Sequence, residues 1–410
     1  MEKPTTTSNP FNIVVIVAAL GYFVDIYDLI LFGIVRVPSL TDLGLTPTQI
    51  EHVGIQLINM QMIGMVVGGV LWGMLGDKKG RLSVLFMTII IYSLANILNG
   101  LVTSIWQYHV LRFIAGMGLA GELGIGITLV SEVMSQKSRG FGTTIVAGVG
   151  VAGAVAGFLV ADLFSWRVAY FVGGGLGLAL LLLRVSVYES GMYNKVKDSA
   201  AKKGSFLSIL TNRARFFKYL RCILVGTPVW YVIGVLVFLA PEFAKELGVV
   251  GDVSGGKAIM YHYIGASTGA FLTGLLSQWL GSRRKALMAS LITLAAMVAV
   301  VLLSRGTDAN TFYMLLLLLG IPNGFWSVFI TTSSEQFGTN LRATVTTSAP
   351  NFVRGMTVVI TSLFTLLTSN DWSRAASAGI IGLVVIGLAI YSTLTLEESF
   401  HKDLDYLEHH

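Results

Sequence analysis

Several ionisable side chains of this chain stand inside long apolar runs, where charge is least expected, and their spacing limits the chemistry open to them. Asp25 and Asp28 lie three residues apart in VAALGYFVDIYDLILFGIV, so on a helix they share a face. At 1.5 Å per residue, Asp28 falls roughly 13 Å below the end of its run. Arg112 falls roughly 9 Å below the corresponding end of a later run, and Glu122 roughly 24 Å along it. Those depths are compatible with an ion pair between Asp28 and Arg112; Asp25 lies deeper and fits less well. A guanidinium neighbour favours the charged form of a carboxyl and burial favours the neutral form. A group held between the two can load a proton in one conformation and release it in another. Asp28 is therefore the first candidate for a proton site and Arg112 its partner, with Asp25 or Glu122 as alternatives. The plainer reading is a structural pair that never titrates.

Arg354 is the other deep cation. It follows Pro350 and Asn351, where a helix is expected to kink. No acidic residue stands at comparable depth in the second half of the chain, so its planar fork is expected to hold an anion, a carboxylate-bearing solute. The plainer readings are a carboxylate from the first half or backbone carbonyls. Trp230, Tyr231, Asn323, Trp326 and Asn351 stand at similar depth and could complete such a site, although aromatic residues in apolar helices are mostly packing. Tyr261, His262 and Tyr263 lie near the end of their run and read as part of an aromatic belt. His262 could titrate near neutral pH.

The elements that must position these groups follow from composition. Of 410 residues 54% are hydrophobic and 12% charged, with a mean hydropathy of +0.74. A soluble domain carries roughly 25% charge, so this chain could not cover its surface in water, whereas a lipid-facing surface can be as apolar as the core. About 20 apolar residues cross a bilayer. On that measure twelve spans run near 12–37, 54–75, 83–103, 106–134, 142–163, 167–188, 218–241, 258–280, 286–304, 311–334, 344–369 and 375–396. Seventeen Lys and Arg fall in the N-tail, the even-numbered connections and the C-tail. The odd-numbered connections hold four: Lys245, Lys257, Arg305 and Arg374. That bias places both termini in the cytoplasm and accounts for the net charge of +6 without nucleic-acid binding. The start lacks a signal-peptide cleavage pattern, so the first run is expected to be retained. The final Leu-Glu-His-His reads as the remnant of a purification tag.

The halves read as copies. Glu132 and Arg139 (SEVMSQKSR) recur as Glu335 and Arg342 (SEQFGTNLR) 203 residues later, and LGDKKGR at 75–81 answers LGSRRKA at 280–286. Parallel six-helix repeats with a midplane site between them are a known transporter plan. The expected division is a bundle over 1–188, a cytoplasmic linker over 189–217, a second bundle over 218–396 and a tail over 397–410. Gly64, Gly68, Gly69 and Gly73 in span two, and Gly148, Gly150, Gly153 and Gly157 in span five, suit close helix packing.

Gly76-Asp77-Lys78-Lys79-Gly80-Arg81 resembles the G-x-x-x-D-[RK]-x-G-[RK] loop between helices two and three of the major facilitator superfamily. Within it, YDLILFG at 27–33 and GLAGELGIG at 118–126 are similar to the metabolite:proton symporters. The tail LEESFHKDLDYLE resembles the P-E-T-x-G-x-x-L ending shared with sugar porters. The span-five Gly-Pro pair of drug antiporters is absent, since Ala154 follows Gly153. The resemblance implies an all-α integral membrane fold of twelve transmembrane helices in two pseudo-symmetric halves. It also implies an Asp on helix one paired with an Arg on helix four for proton coupling, as in several proton-driven relatives.

Asp77 with Arg81, Glu132 with Arg139 and Glu335 with Arg342 sit at span ends, where ion pairs are expected to latch the cytoplasmic gate. Ser282 replaces the loop Asp in the second half, so the latch there is expected to be weaker. Enzymatic readings fail. There is no GxxxxGK[ST] motif, no Ser/His or metal-ligand cluster, and Cys222 is the single cysteine. No cofactor is expected. The sequence is thus read as a secondary transporter of the cytoplasmic membrane, complete in one chain, moving a small organic anion by proton-coupled symport and alternating access. The alternatives are a proton-coupled exporter of a metabolite, carboxylate siderophore or drug, and a sugar symporter.

Overall fold

The structure is a computed structural model that describes residues 13–79, 81–121, 139–189 and 206–400. Its described residues form helices α1 (Ile13–Asp42), α2 (Pro47–Lys79), α3 (Arg81–Asn99), α4 (Ile105–Leu119), α5 (Arg139–Leu163), α6 (Trp166–Glu189), α7 (Phe206–Thr211) and α8 (Arg213–Tyr231). A π-helical segment (Val232–Val237) continues α8. There follow α9 (Ala240–Glu246), α10 (Gly255–Trp279), α11 (Arg283–Leu303), α12 (Ala309–Asn323), α13 (Trp326–Glu335), α14 (Thr339–Thr368) and α15 (Arg374–Thr395).

Local chemistry sets many of the boundaries. Gly44 at φ +84° turns the chain after α1, and Pro47 opens α2, where its missing N–H costs nothing. Ser104 and Gln107 close a capping box at α4, and the side chains of Ser254, Ser282, Asp308 and Ser373 cap α10, α11, α12 and α15. Where the sequence suggests one span over 311–334, two helices are separated at Gly324 and Phe325, just beyond Pro322. Among the described residues eight helices are long and apolar enough to cross a membrane, with shorter apolar helices beside them. The stretch 189–217 carries α7 and the start of α8, and 190–205 lies outside the described residues.

Before residue 190 the helices pack mainly on one another: α1 on α5 and α6, α2 on α4, and α3 on α4 and α6. After residue 212, α10 packs on α12, α8 on α14 and α15, and α11 on α12 and α15. The two groups meet along α2 with α14 and α5 with α10, while α1 also touches α10. Glycines permit the tightest crossings. A Cβ at Gly64 or Gly68 would strike the Phe113 or Met117 carbonyl of α4, and one at Gly265 or Gly269 the Leu317 or Ile321 carbonyl of α12. Such close approaches hold helices together where lipid removes the hydrophobic drive.

Candidate functional site

α1 carries the polar core of the first group. Successive turns present Tyr22, Asp25 and Asp28, and both carboxylates are fully buried. Asp28 looks into a pocket between α1, α3, α4 and α6, with Arg112, Asn96, Tyr27 and Tyr170 around it. Gly173 makes room for it, since a Cβ there would land on Asp28 Oδ1. Arg112 donates to Gln61 Oε1 at 3.2 Å and to Asn96 Oδ1 at 2.9 Å, and lies over the rings of Tyr170 (5.2 Å) and Phe32 (5.9 Å). Asp28 and Arg112 thus share a pocket, but the contacts that hold Arg112 are neutral amides and aromatic faces. Neither Asp28 oxygen accepts a hydrogen bond from the described residues. Tyr108 and Tyr170 join hydroxyls at 2.7 Å behind this pocket, and Tyr27 donates to the Ala169 carbonyl.

Asp25 faces the other way, into the seam between the groups. Its Oδ2 stands 3.9 Å from Arg354 Nη2 of α14, and both side chains are buried. The alternative of a carboxylate from the first half is therefore the one the structure realises for Arg354. The contact is long, because charged hydrogen bonds usually close to about 2.8 Å. Arg354 Nη1 donates to Asn351 Oδ1 at 3.4 Å, while its Nε finds no hydrogen-bond acceptor among the described residues. The indoles of Trp230 and Trp326 flank the guanidinium at 5.8 and 6.0 Å. Tyr22 and Tyr263 lie in the electrostatic neighbourhood of Arg354 and Asp25. The Asn351 amide reaches across the seam to the Ala120 carbonyl at 2.9 Å, tying this chamber to α4.

The remaining candidates divide. Asn323 sits behind the chamber, its amide 3.1 Å from His262 Nε2, and His262 Nδ1 is 3.3 Å from the Leu316 carbonyl. His262 and Tyr263 are buried rather than part of an aromatic belt, because α10 turns this face toward α12 and α1. Tyr231 donates to the Ala378 carbonyl and packs on Gly382, so it turns to α15 and away from Arg354. Glu122 and Glu132 lie outside the described residues, as do the side chains of Asp77, Arg81 and Arg139.

Among the described residues, ionic clusters stand at both ends of the helices. At the end that holds the α1–α2 turn, Arg36 pairs with Glu242 at 2.8 Å and caps the Phe238 carbonyl at 3.0 Å. Arg374 pairs with Glu51 at 2.6 Å and Glu246 at 3.4 Å. Arg36–Glu242 and Arg374–Glu51 cross between the groups. Arg36 stands at the edge of its apolar run, where a cation can reach water, so depth alone does not mark it; the signal in the sequence is that it falls inside span one.

At the opposite end Glu335 pairs with Arg283 at 3.3 Å and accepts from Ser399 at 2.7 Å. Where the second half lacks the loop Asp, Glu398 stands at the head of α11 instead. That carboxylate accepts from Ser282 Oγ and from the amides of Arg283 (2.9 Å) and Arg284 (3.3 Å) at the head of α11. Burial works against its ionisation, but these bonds and the Phe400 amide prevail and hold it below the ordinary carboxylate value.

Membrane-length helices in two groups, with charged side chains buried where the groups meet, are the architecture of a membrane transporter. The family model described as Major Facilitator Superfamily matches residues 18–361, and the chain belongs to that superfamily. It is 28% identical over 344 residues to a Haemophilus influenzae protein named for metabolite transport, covering 80% of this chain and 82% of that one. It is 30% identical over 341 residues to a Bacillus subtilis protein named as a niacin/nicotinamide transporter, NiaP, covering 80% and 81%. It is 27% identical over 398 residues to a Cupriavidus pinatubonensis protein named as a 4-methylmuconolactone transporter, covering 92% and 89%.

Proposed function

We propose that the protein imports a small organic anion across the bacterial cytoplasmic membrane by proton-coupled symport, with Arg354 as the anchor for the solute's carboxylate. The observation that carries this reading is the state of Arg354: 1% exposed, flanked by two indoles, its nearest carboxylate at 3.9 Å and its Nε without an acceptor among the described residues. A guanidinium so placed favours a bidentate anion. Trp230 and Trp326 favour a flat or apolar body behind that carboxylate. The names of the niacin and 4-methylmuconolactone relatives support small organic solutes of this kind. Asn351 and Asn323 line or support the chamber, while Tyr231 serves packing.

Asp28, buried beside Arg112, holds the proton in this reading, and Arg112 keeps the pocket charged when the proton leaves. Both termini face the cytoplasm, so the end closed by Arg36–Glu242 and Arg374–Glu51 is the outer one. Alternating access opens that seam and closes the Glu335–Arg283 end in turn. One chain contains the whole pathway.

Uptake into proteoliposomes with acid outside tests the reading, using nicotinate, benzoate, a betaine and a sugar as solutes. Gradient-driven accumulation of a carboxylate, lost in Arg354→Ala, is the expected result. Asp28→Asn is expected to lose accumulation but keep exchange of pre-loaded solute. Accumulation indifferent to Arg354, or sugar uptake alone, overturns the carboxylate anchor, and accumulation surviving in Asp28→Asn overturns the proton site.

A further inference from the structure

α14 carries a polar stripe along the face it turns to the seam. Asn351, Arg354, Thr357 and Thr361 follow one another at helical spacing, and each is at most 1% exposed. Three of the four reach the first group of helices. The Asn351 amide donates to the Ala120 carbonyl, Arg354 stands 3.9 Å from Asp25, and Thr361 Oγ1 donates to Asn59 Oδ1 at 2.7 Å. Thr357 breaks the pattern, because its hydroxyl has no hydrogen-bond partner among the described residues.

Other hydroxyls of this helix satisfy themselves locally. Thr346, Ser348, Thr361 and Thr368 each donate to the carbonyl four residues back. Thr357 makes no such bond. Its methyl lies against Gly234 of the π-helical segment, where a Cβ would stand 2.6 Å from Cγ2 but 3.9 Å from Oγ1, so the hydroxyl is turned away from that contact. A buried hydroxyl without a partner is costly and calls for a reason.

Position supplies one. Thr357 follows Arg354 by three residues, a rise of about 4.5 Å along α14. Gly234 follows Trp230 by four, and the Trp230 indole lies 5.8 Å from the guanidinium. Arg354 with Trp230 thus forms one layer of the chamber, and Thr357 with Gly234 the next. The rise between the layers is comparable to the span of a six-membered ring. A flat solute with its carboxylate on Arg354 and its body along the indole brings its far ring positions to the Thr357 layer. Asn323 Oδ1 also lacks a partner, but its amide nitrogen is engaged with His262 and the Val229 carbonyl behind the chamber.

We propose that Thr357 is a specificity-determining residue whose hydroxyl pairs with a hydrogen-bonding atom on the ring of an aromatic carboxylate held by Arg354. The preferred solute class is then a pyridine or hydroxylated aromatic monocarboxylate rather than the bare ring. The proposal rests on the reading of Arg354 as the anion anchor. A hydroxyl donates to a ring nitrogen or accepts from a ring hydroxyl, so either substituent satisfies it. A site with a buried polar group discriminates against the analogue that leaves that group unpaired.

Equilibrium binding of radiolabelled nicotinate, 3-hydroxybenzoate and benzoate to the purified full chain at neutral pH tests this. In the unaltered protein the tighter of the first two is expected to bind at least about tenfold more tightly than benzoate. Thr357→Val keeps the shape and removes the hydroxyl, and is expected to bring that ratio to about one, with the loss falling on the polar-ring ligand. Thr357→Ser keeps the hydroxyl and is expected to retain the preference. Thr357→Ala carries the test if Thr357→Val does not fold. Equal affinities in the unaltered protein, a preference that survives removal of the hydroxyl, or an equal loss for all three ligands overturns the proposal. In each of those cases Arg354 remains the anchor if Arg354→Ala no longer binds. Absence of binding of all three to the unaltered protein, or binding indifferent to Arg354→Ala, overturns the anchor and this proposal with it.

Discussion

At the scale of single residues, the buried charges are kept in place by neighbours that carry no charge. Gly173 is the clearest case, because its missing side chain is the space that Asp28 occupies, with the Tyr27 ring 2.9 Å from where a Cβ would stand. Gly173→Ala presses on that carboxylate and is expected to cost about 1–3 kcal/mol of overpacking, with proton-driven uptake falling at least about tenfold. Gly175, two residues on, has nothing within 4 Å, so Gly175→Ala is the matched control and is expected to transport normally. Equal uptake by the two variants would contradict the placement of Asp28. Arg112 makes the same point from the cationic side. It reaches Gln61 and Asn96 with two different nitrogens, 3.2 and 2.9 Å away. Lysine keeps the charge but offers a point rather than a fork. Arg112→Lys is therefore expected to exchange solute but not to accumulate it; full accumulation would show that charge alone suffices.

At the scale of elements, packing and caps decide how the site is carried. The crossing of α10 with α12 depends on glycines whose Cβ would meet backbone, which cannot move aside: Gly269 against Ile321 and Gly320 against His262. Gly269→Ala is expected to lower the melting temperature in detergent, at a cost of about 1–3 kcal/mol. Gly274→Ala on the same helix meets nothing within 4 Å and is expected to be neutral or to gain up to about 1 kcal/mol. At the head of α11, Glu398 gives a pH signature. Its carboxyl is held below its ordinary value of 4.5 in the folded state, so its stabilisation is present above that pH and is lost as pH falls through the lowered value. Glu398→Gln is expected to melt lower than the unaltered protein at neutral pH and to approach it in acid; a constant gap would mean that the hydrogen-bonding shape, not the charge, matters. Much of this was legible in sequence. Apolar run length marked the long helices, the motif loop pointed to the superfamily, and depth counting picked out Asp28, Arg112 and Arg354, which are all buried. What was not legible depends on rotation about a helix axis. Asp25 and Asp28 are close in sequence, yet one faces the seam and the other the first group, and Tyr231 and Trp230 diverge in the same way. Glu398 was hidden because its partners, Ser282 and Arg283, are more than a hundred residues away.

At the scale of the whole molecule, the seam between the groups is what must open and close, and its ion pairs at the α1–α2 end are unequal. Arg36 is 1% exposed and holds both Glu242 and the Phe238 carbonyl, a helix-end acceptor freed where the chain breaks before α9. Removing one partner of a buried pair costs about 3–5 kcal/mol, because the other charge is left behind. Arg374 is 35% exposed, and a pair so placed contributes about 1 kcal/mol or less, screened by salt. The cost falls only on the conformer that makes the contact, so it moves the balance between conformers. About 5.5 kcal/mol carries a two-state equilibrium from 1:99 to 99:1. Glu242→Gln is therefore expected to shift the population far toward the form open at this end, and Glu51→Gln only slightly, with less effect still at high salt. A thiol probe placed at Thr361 reports the opening. That side chain is fully buried and donates across the seam to Asn59 of α2, and the background is Cys222→Ser. Labelling is expected to accelerate strongly in Glu242→Gln and little in Glu51→Gln. Equal labelling in both, or none, would show that the seam is held by the helix faces of α2 with α14 and α5 with α10 rather than by its charges.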